Sequence, residues 1–181
     1  MGKKVCINIG HGGIGNNYDS GAIGADGTHE HSFNKNEFYP LLKKELELMG
    51  FEVICVIQES SFGELPKRIN AIKPDVILSL HYNAFNNVAT GSETLYFALS
   101  KKSKALAEKI QTETVKALGL ANRGVKGLLI GRGSALLIKT SSPCVILEPF
   151  FGDNPTDLAR ARDRLKELAK GVAVAVADWS S

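Results

Sequence analysis

Two kinds of apolar pattern alternate along the chain. Short runs of alternating or continuous apolar residues are typical of β-strands, and apolar residues repeating every three or four positions are typical of amphipathic helices. Strands are predicted at 3–9, 51–57, 75–80, 94–99, 135–139 and 144–147. Helices are predicted at 34–49, 64–72, 101–118 and from Thr156 or Asp157 to about Trp179, with Gly50 and Gly119 as stop signals.

This order of elements predicts an α/β fold. Strands that are apolar on both faces, as at 75–80, are typical of a sheet buried on both sides. Because helices separate these strands, we expect a mostly parallel, twisted sheet with helices on both faces. The chain contains no internal repeat, linker or low-complexity tract, so residues 1–181 are predicted to form a single domain.

The composition is that of an ordinary globular protein, with 44% hydrophobic and 23% charged residues among 181. The net charge of +3 is small and its basic residues are intermixed with acidic ones, which argues against a nucleic-acid partner. No apolar run is long enough for a bilayer, so no membrane association is expected. The first residues lack the long apolar region of a signal peptide, which predicts a cytoplasmic protein until it is released by another route.

Cys6, Cys55 and Cys144 each lie in an apolar, β-branched run. Their spacing differs from that of a zinc ribbon, and their odd number argues against a disulfide framework. We therefore interpret them as small buried hydrophobic residues. A catalytic thiol is disfavoured because reactive cysteines lie in polar, electropositive surroundings.

A glycine pattern after the first strand resembles a dinucleotide-binding motif. Gly10, Gly12 and Gly15 have the spacing G-x-G-x-x-G. In that motif the third glycine opens a helix that binds the pyrophosphate. Here residues 16–21 are polar and glycine-rich and predict a loop, so nucleotide binding is the weaker interpretation.

Polar side chains follow three of the predicted strands. His11 follows the first strand, His81 follows the strand at 75–80, and Glu148 ends the last strand. Ligands of open α/β sheets bind beyond the carboxyl ends of the strands, so these three side chains are expected to share one site. Two imidazoles and a carboxylate are suited to a divalent metal, and to zinc best.

A catalytic zinc ion needs three protein ligands and keeps one position open. The segment 27–31 offers His29, Glu30 and His31. The two histidines are two residues apart, unlike the helical H-E-x-x-H motif. Spacing alone therefore leaves these three candidates open, together with the alternative of a polar loop.

Several ordered motifs are similar to those of one enzyme family. The chain resembles the N-acetylmuramoyl-L-alanine amidases of the amidase 3 type over essentially its whole length. The matching segments are 9–13, 19–24, 27–30 with Asn34, 68–70, 79–84, 91–94 and 145–148 with Phe151 and Asn154.

The resemblance implies a zinc enzyme that cuts the bond between N-acetylmuramic acid and L-alanine of peptidoglycan, so that residues 1–181 are a catalytic amidase domain. It assigns His11, Glu30 and His81 as zinc ligands and Glu148 as the catalytic residue. The chain has Pro149-Phe150 where the family often has glycine after that glutamate. The stretch 84–144 reads as ordinary fold elements and not as the inhibitory helical insertion of some relatives. The chain is thus more similar to lytic phage or spore-stage enzymes, whose wall-binding module can be separate.

Two other functions fit the same residues. One is a zinc peptidase that cuts within the stem peptide, and the other is a wall-binding module without activity. Ser79 and Asn83 share a strand face with His81, so they either orient metal ligands or serve as ordinary polar residues. His29 and His31 are expected to flank the site, where they either face the substrate or are solvated, and solvation is the favoured interpretation.

Overall fold

The protein, described here from a computed structural model over residues 2–13, 18–58, 63–131 and 134–181, contains one six-stranded sheet. Its strands are β1 (Lys4–Gly12), β2 (Glu52–Gln58), β3 (Val76–Leu80), β4 (Ser92–Phe97), β5 (Asn122–Leu128) and β6 (Cys144–Glu148). Their order across the sheet is β2-β1-β3-β6-β4-β5. Strands β1, β2, β3 and β6 are parallel, whereas β4 is antiparallel to β6 and parallel to β5. The predicted mostly parallel α/β sheet is confirmed.

Helices surround this sheet. They are α1 (Glu30–Phe33), α2 (Tyr39–Leu48), α3 (Leu65–Ile72), α4 (Lys101–Leu118), α5 (Ser134–Lys139), α6 (Pro155–Asp163) and α7 (Leu165–Ser180). A π-helical turn, Asn34–Phe38, joins α1 to α2, so this helical segment begins four residues before the predicted start. The predicted last helix is divided at Arg164. Its N-cap is Asn154 and not Thr156 or Asp157, whose backbone N–H groups instead donate to the Asn154 side chain. Within the part of the chain that the structure describes, no helix is both long enough and apolar enough to cross a membrane.

The core lies in two layers, one on each face of the sheet. Alternation along β1 places Val5 and Ile7 on one face, against α1, α2, α4, α6 and α7, and Cys6 on the other, against α3 and α5. Cys6 and Cys144 are buried, which confirms their interpretation as small buried hydrophobic residues, whereas Cys55 is only partly buried. Burial raises the pKa of the Cys6 and Cys144 thiols to about 12, so both remain protonated at neutral pH.

Two sequence predictions were wrong in this region of the chain. The segment 135–139 is not a strand but belongs to α5, which buries Leu136 and Leu137 beneath the sheet. A short apolar run has no periodicity that separates a buried strand from a buried helix. The second error is the omission of β5, an edge strand that is largely exposed and includes Gly124 and Gly127. It lacks apolar alternation because it pairs only with β4 and covers little core.

Candidate metal centre

A bulge at the end of β1 directs His11 toward the site. The register between β1 and β2 shifts between Ile9 and Gly12, which leaves Gly10 and His11 in the irregular segment. His11 has a φ of 60°, a conformation that few residues other than glycine adopt. Bulges redirect side chains, and unusual backbone conformations cluster at functional sites. The backbone therefore places the first predicted ligand in a specific orientation.

The side chains of His11, Glu30 and His81 meet at the carboxyl edge of the sheet. His11 Nε2 lies 3.0 Å from Glu30 Oε2, and His81 Nδ1 lies 2.8 Å from Glu30 Oε1. One ligand atom from each residue falls within 4.8 Å of the other two, a spacing that allows all three to bind one metal ion. Two imidazoles and a carboxylate are also the ligand set of known catalytic zinc sites.

Backbone amides hold the Glu30 carboxylate in place. Ala22 N donates to Oε2 at 3.0 Å and Tyr82 N donates to Oε1 at 3.2 Å. Glu30 is only 2% exposed and lies in the first turn of α1, where the helix dipole favours negative charge. The π-helical turn begins four residues later, and such turns are frequent at functional sites.

Two glycines allow the ligands to approach one another. A Cβ atom at Gly10 would lie 2.3 Å from His81 Cε1 and 2.4 Å from its Nε2. A Cβ atom at Gly21 would lie 2.7 Å from both Glu30 Oε2 and His11 Cδ2, and the φ of Gly21 is +73°. Any larger residue at either position would displace a ligand side chain.

The charge of the cluster is suited to a cation. Burial by itself raises the pKa of Glu30, yet hydrogen bonds from His11 and His81 outweigh it and hold that pKa well below its usual range. Burial by itself lowers the pKa of His11, but the contacts of His11 with Glu30 and then with Asp19 outweigh burial and raise that pKa above its usual value. Glu30 is therefore ionised at neutral pH, which is the form that binds a metal.

Glu148 lines the same cleft as the three potential ligands. The cleft has a volume of about 470 Å³ and continues from the cluster onto the sheet face that α3 and α5 cover. Leu147 pairs with Leu80, so Glu148 lies level with His81 on the neighbouring strand, with the two backbones about 5 Å apart. A carboxylate that is not part of the His11–Glu30–His81 cluster thus stands beside it.

The other predicted residues have different positions. His29 is exposed, as expected, but His31 is 5% exposed and its Nδ1 lies 2.9 Å from Gly10 O, so its predicted solvation was wrong. Ser79 and Asn83 line the cleft with His81, as the alternation of side chains predicted. Ser79 donates to buried Asn8 at 2.8 Å and does not orient a histidine. Gly15 of the glycine motif lies outside the described residues.

Sequence reasoning from strand ends missed Asp19. Its Oδ2 lies 2.8 Å from Nδ1 of His11 and it occupies an isolated bridge to Gly12, which places it behind the first ligand. A carboxylate in this position fixes the orientation and tautomer of a metal-binding imidazole. The signal that could have identified Asp19 was its place in the segment 19–24, which resembles the family but was given no role in the site.

Comparison with known proteins agrees with the geometry. A family model described as N-acetylmuramoyl-L-alanine amidase, of the amidase 3 type, matches residues 5–178. The chain is 31% identical over 169 residues to N-acetylmuramoyl-L-alanine amidase LytC of Bacillus subtilis strain 168, covering 90% of this chain and 32% of LytC. It is 30% identical over 169 residues to the probable cell wall amidase LytH of Staphylococcus epidermidis, covering 91% of this chain and 53% of LytH. The chain therefore spans a third to a half of these relatives.

A solved structure has the same fold over nearly its whole length. The catalytic domain of the CD27L endolysin, described as targeting Clostridia difficile, superposes with a TM-score of 0.83 at 27% identity. The match covers 97% of each chain.

Proposed function

Because the chain belongs to the N-acetylmuramoyl-L-alanine amidase family, we propose that it hydrolyses the amide bond between N-acetylmuramic acid and L-alanine in bacterial peptidoglycan. The proposed cofactor is Zn²⁺, held by His11, Glu30 and His81. The proposed acid–base residue is Glu148. Repeated cleavage frees stem peptides from the glycan strands and leads to lysis of the wall.

The convergence of three ligand atoms within 4.8 Å carries this proposal. These side chains come from β1, α1 and the end of β3, which are far apart in sequence, and they point to one place at the carboxyl edge of the sheet. Two imidazoles and one carboxylate would leave a bound dication with a net positive charge, and they are the ligand set of known catalytic zinc sites.

Each protein group has a chemical role in this reaction. Zinc bound at the site supplies Lewis-acid chemistry that polarises an amide carbonyl and lowers the pKa of water. Glu148 accepts the proton of the attacking water and then delivers it to the leaving nitrogen. Asp19 holds His11 through Nδ1 at 2.8 Å, which leaves Nε2 for the metal.

The first test separates acid–base chemistry from metal binding. Glu148→Gln should retain zinc and lose activity by about 10²- to 10⁴-fold, because a general base contributes that much. His81→Ala should lose both zinc and activity. Glu108→Gln, on the exposed surface of α4, is the matched control and should behave as the unmodified protein. The measurements are zinc content and release of amino groups from purified wall. Full activity of Glu148→Gln refutes its assigned role.

The products test the bond that is cut. Mass spectrometry of digested wall should show intact stem peptides with a free L-alanine amino group. Peptides that stay linked to the lactyl group but are shortened at their ends identify a peptidase. Wall binding without any new amino groups identifies a non-catalytic module.

A further inference from the structure

Three side chains outside the metal cluster form a chain of contacts at the same sheet edge. Asn83 Nδ2 donates to Glu93 Oε1 at 3.0 Å, and Arg123 Nε donates to Glu93 Oε2 at 2.8 Å. The Arg123 guanidinium also lies over the ring of Phe151, 4.9 Å from its centroid. One end of the chain is an exposed arginine, and the other end, Asn83, lines the cleft.

These residues border the reacting groups. Glu93 is directly opposite Glu148 across β4 and β6, so their side chains lie on one face of the sheet. Asn83 follows His81 by two residues. Its backbone N–H donates to Phe150 O at 2.9 Å, and its carbonyl accepts from Gly152 N at 2.7 Å. The position of Asn83 beside the cleft is therefore held by its backbone.

The contact with Glu93 determines which way the Asn83 amide faces. A carboxylate paired with an arginine only accepts hydrogen bonds, and an asparagine side chain has one donating and one accepting end. The nitrogen must therefore face Glu93, which is 14% exposed, and the oxygen is the end available to the cleft. An oriented carbonyl oxygen accepts a hydrogen bond from a donor such as an amide N–H.

We propose that Asn83 Oδ1 accepts a hydrogen bond from an amide N–H that flanks the cleaved bond, and that Glu93 and Arg123 are positioning residues for it. This inference rests on the proposed function. The substrate offers two such groups, the first peptide link beyond L-alanine and the 2-acetamido group of the sugar.

The experiment measures the hydrolysis of soluble muramoyl peptides by the zinc-loaded protein and compares a parent substrate with two analogues. In one analogue an ester replaces the peptide link beyond L-alanine, and in another an O-acetyl group replaces the 2-acetamido group. Asn83→Ala should raise KM for the parent substrate about three- to tenfold, as expected for one hydrogen bond, with kcat within about twofold. The unmodified protein should show a similar rise in KM on one analogue, and that analogue identifies the N–H group that Asn83 binds.

Asn83→Ala should be insensitive to the replacement that weakens binding by the unmodified protein, since both changes remove the same contact. The inference is overturned if the variant and the unmodified protein respond equally to both analogues. If the unmodified protein releases no peptide from the parent substrate, the proposed function itself is overturned.

A second variant tests the positioning role. Glu93→Gln keeps the size of the side chain but lets the Asn83 amide turn, so KM should rise by a similar factor. The double variant Asn83→Ala with Glu93→Gln should be no worse than Asn83→Ala alone, because Glu93 acts through Asn83. Losses that multiply in the double variant, with Glu108→Gln again as control, refute the positioning role.

Discussion

Gly10→Ala should weaken zinc binding in a protein that still folds. Gly10 lies outside the left-handed region of φ, so alanine is compatible with its backbone. The added Cβ would lie 2.3 Å from Cε1 of the His81 ring. Ordinary contact between carbon atoms is about 3.5 Å, so the ring must move by more than about 1 Å.

The two consequences of this movement differ in size. Ligand distances in a metal site tolerate only about 0.2 Å, so the His81 ring can no longer serve as a well-placed ligand. We expect zinc affinity to fall at least 10- to 100-fold, as it does when the support of a ligand is lost. Overpacking should lower the free energy of unfolding of the zinc-free protein by only about 1–3 kcal/mol, since a side chain can yield more easily than the backbone.

The assay is zinc affinity by competition with a chelator, together with thermal unfolding of the chelated protein. Gly63→Ala is the matched control, because a Cβ there meets nothing within 4 Å. It should leave zinc affinity unchanged. Unchanged zinc affinity in Gly10→Ala, or an equal loss in Gly63→Ala, refutes the reasoning.

Three further predictions concern the site and its support. Asp19→Asn should lower zinc affinity about 10- to 100-fold by weakening the hold on His11, measured by chelator competition; unchanged affinity contradicts that role. The pKa of His11 is raised in the folded protein, so in chelated protein its protonated form stabilises the fold fully at pH values below the pKa of the unfolded chain. The melting temperature should therefore fall as pH rises through the pKa of the folded protein. A melting temperature that rises over that range contradicts the ion pair with Glu30. Asp157→Ala should cost about 3 kcal/mol or more in denaturant unfolding, because its buried carboxylate accepts two backbone N–H groups and one hydroxyl. The exposed Asp163→Ala on the same helix is its control, and equal costs would show that burial is irrelevant.

Some residues of the site were predicted from the strand pattern alone, and another needed the family resemblance. His11, His81 and Glu148 follow apolar strands directly, and topology alone brings such residues to one edge. Glu30 was left among three candidates by spacing and was selected by the family resemblance, because which of three neighbouring side chains faces His11 and His81 depends on where α1 begins. Zinc ligation and the role of Glu148 stay predictions for the experiments above.

Local patterning determined the α/β class, most element positions and the residues at the strand ends, because burial and periodicity are properties of short segments. Tertiary structure alone decided the antiparallel direction of β4, the helical state of 135–139 and the edge strand β5. Each of these depends on a partner distant in sequence. The fold likewise decided that the Glu30 side chain points to His11 and His81, that Asp19 supports His11, and that Asn83 contacts Glu93, which in turn contacts Arg123. Hydrogen bonds between distant residues form only where the fold brings their atoms together.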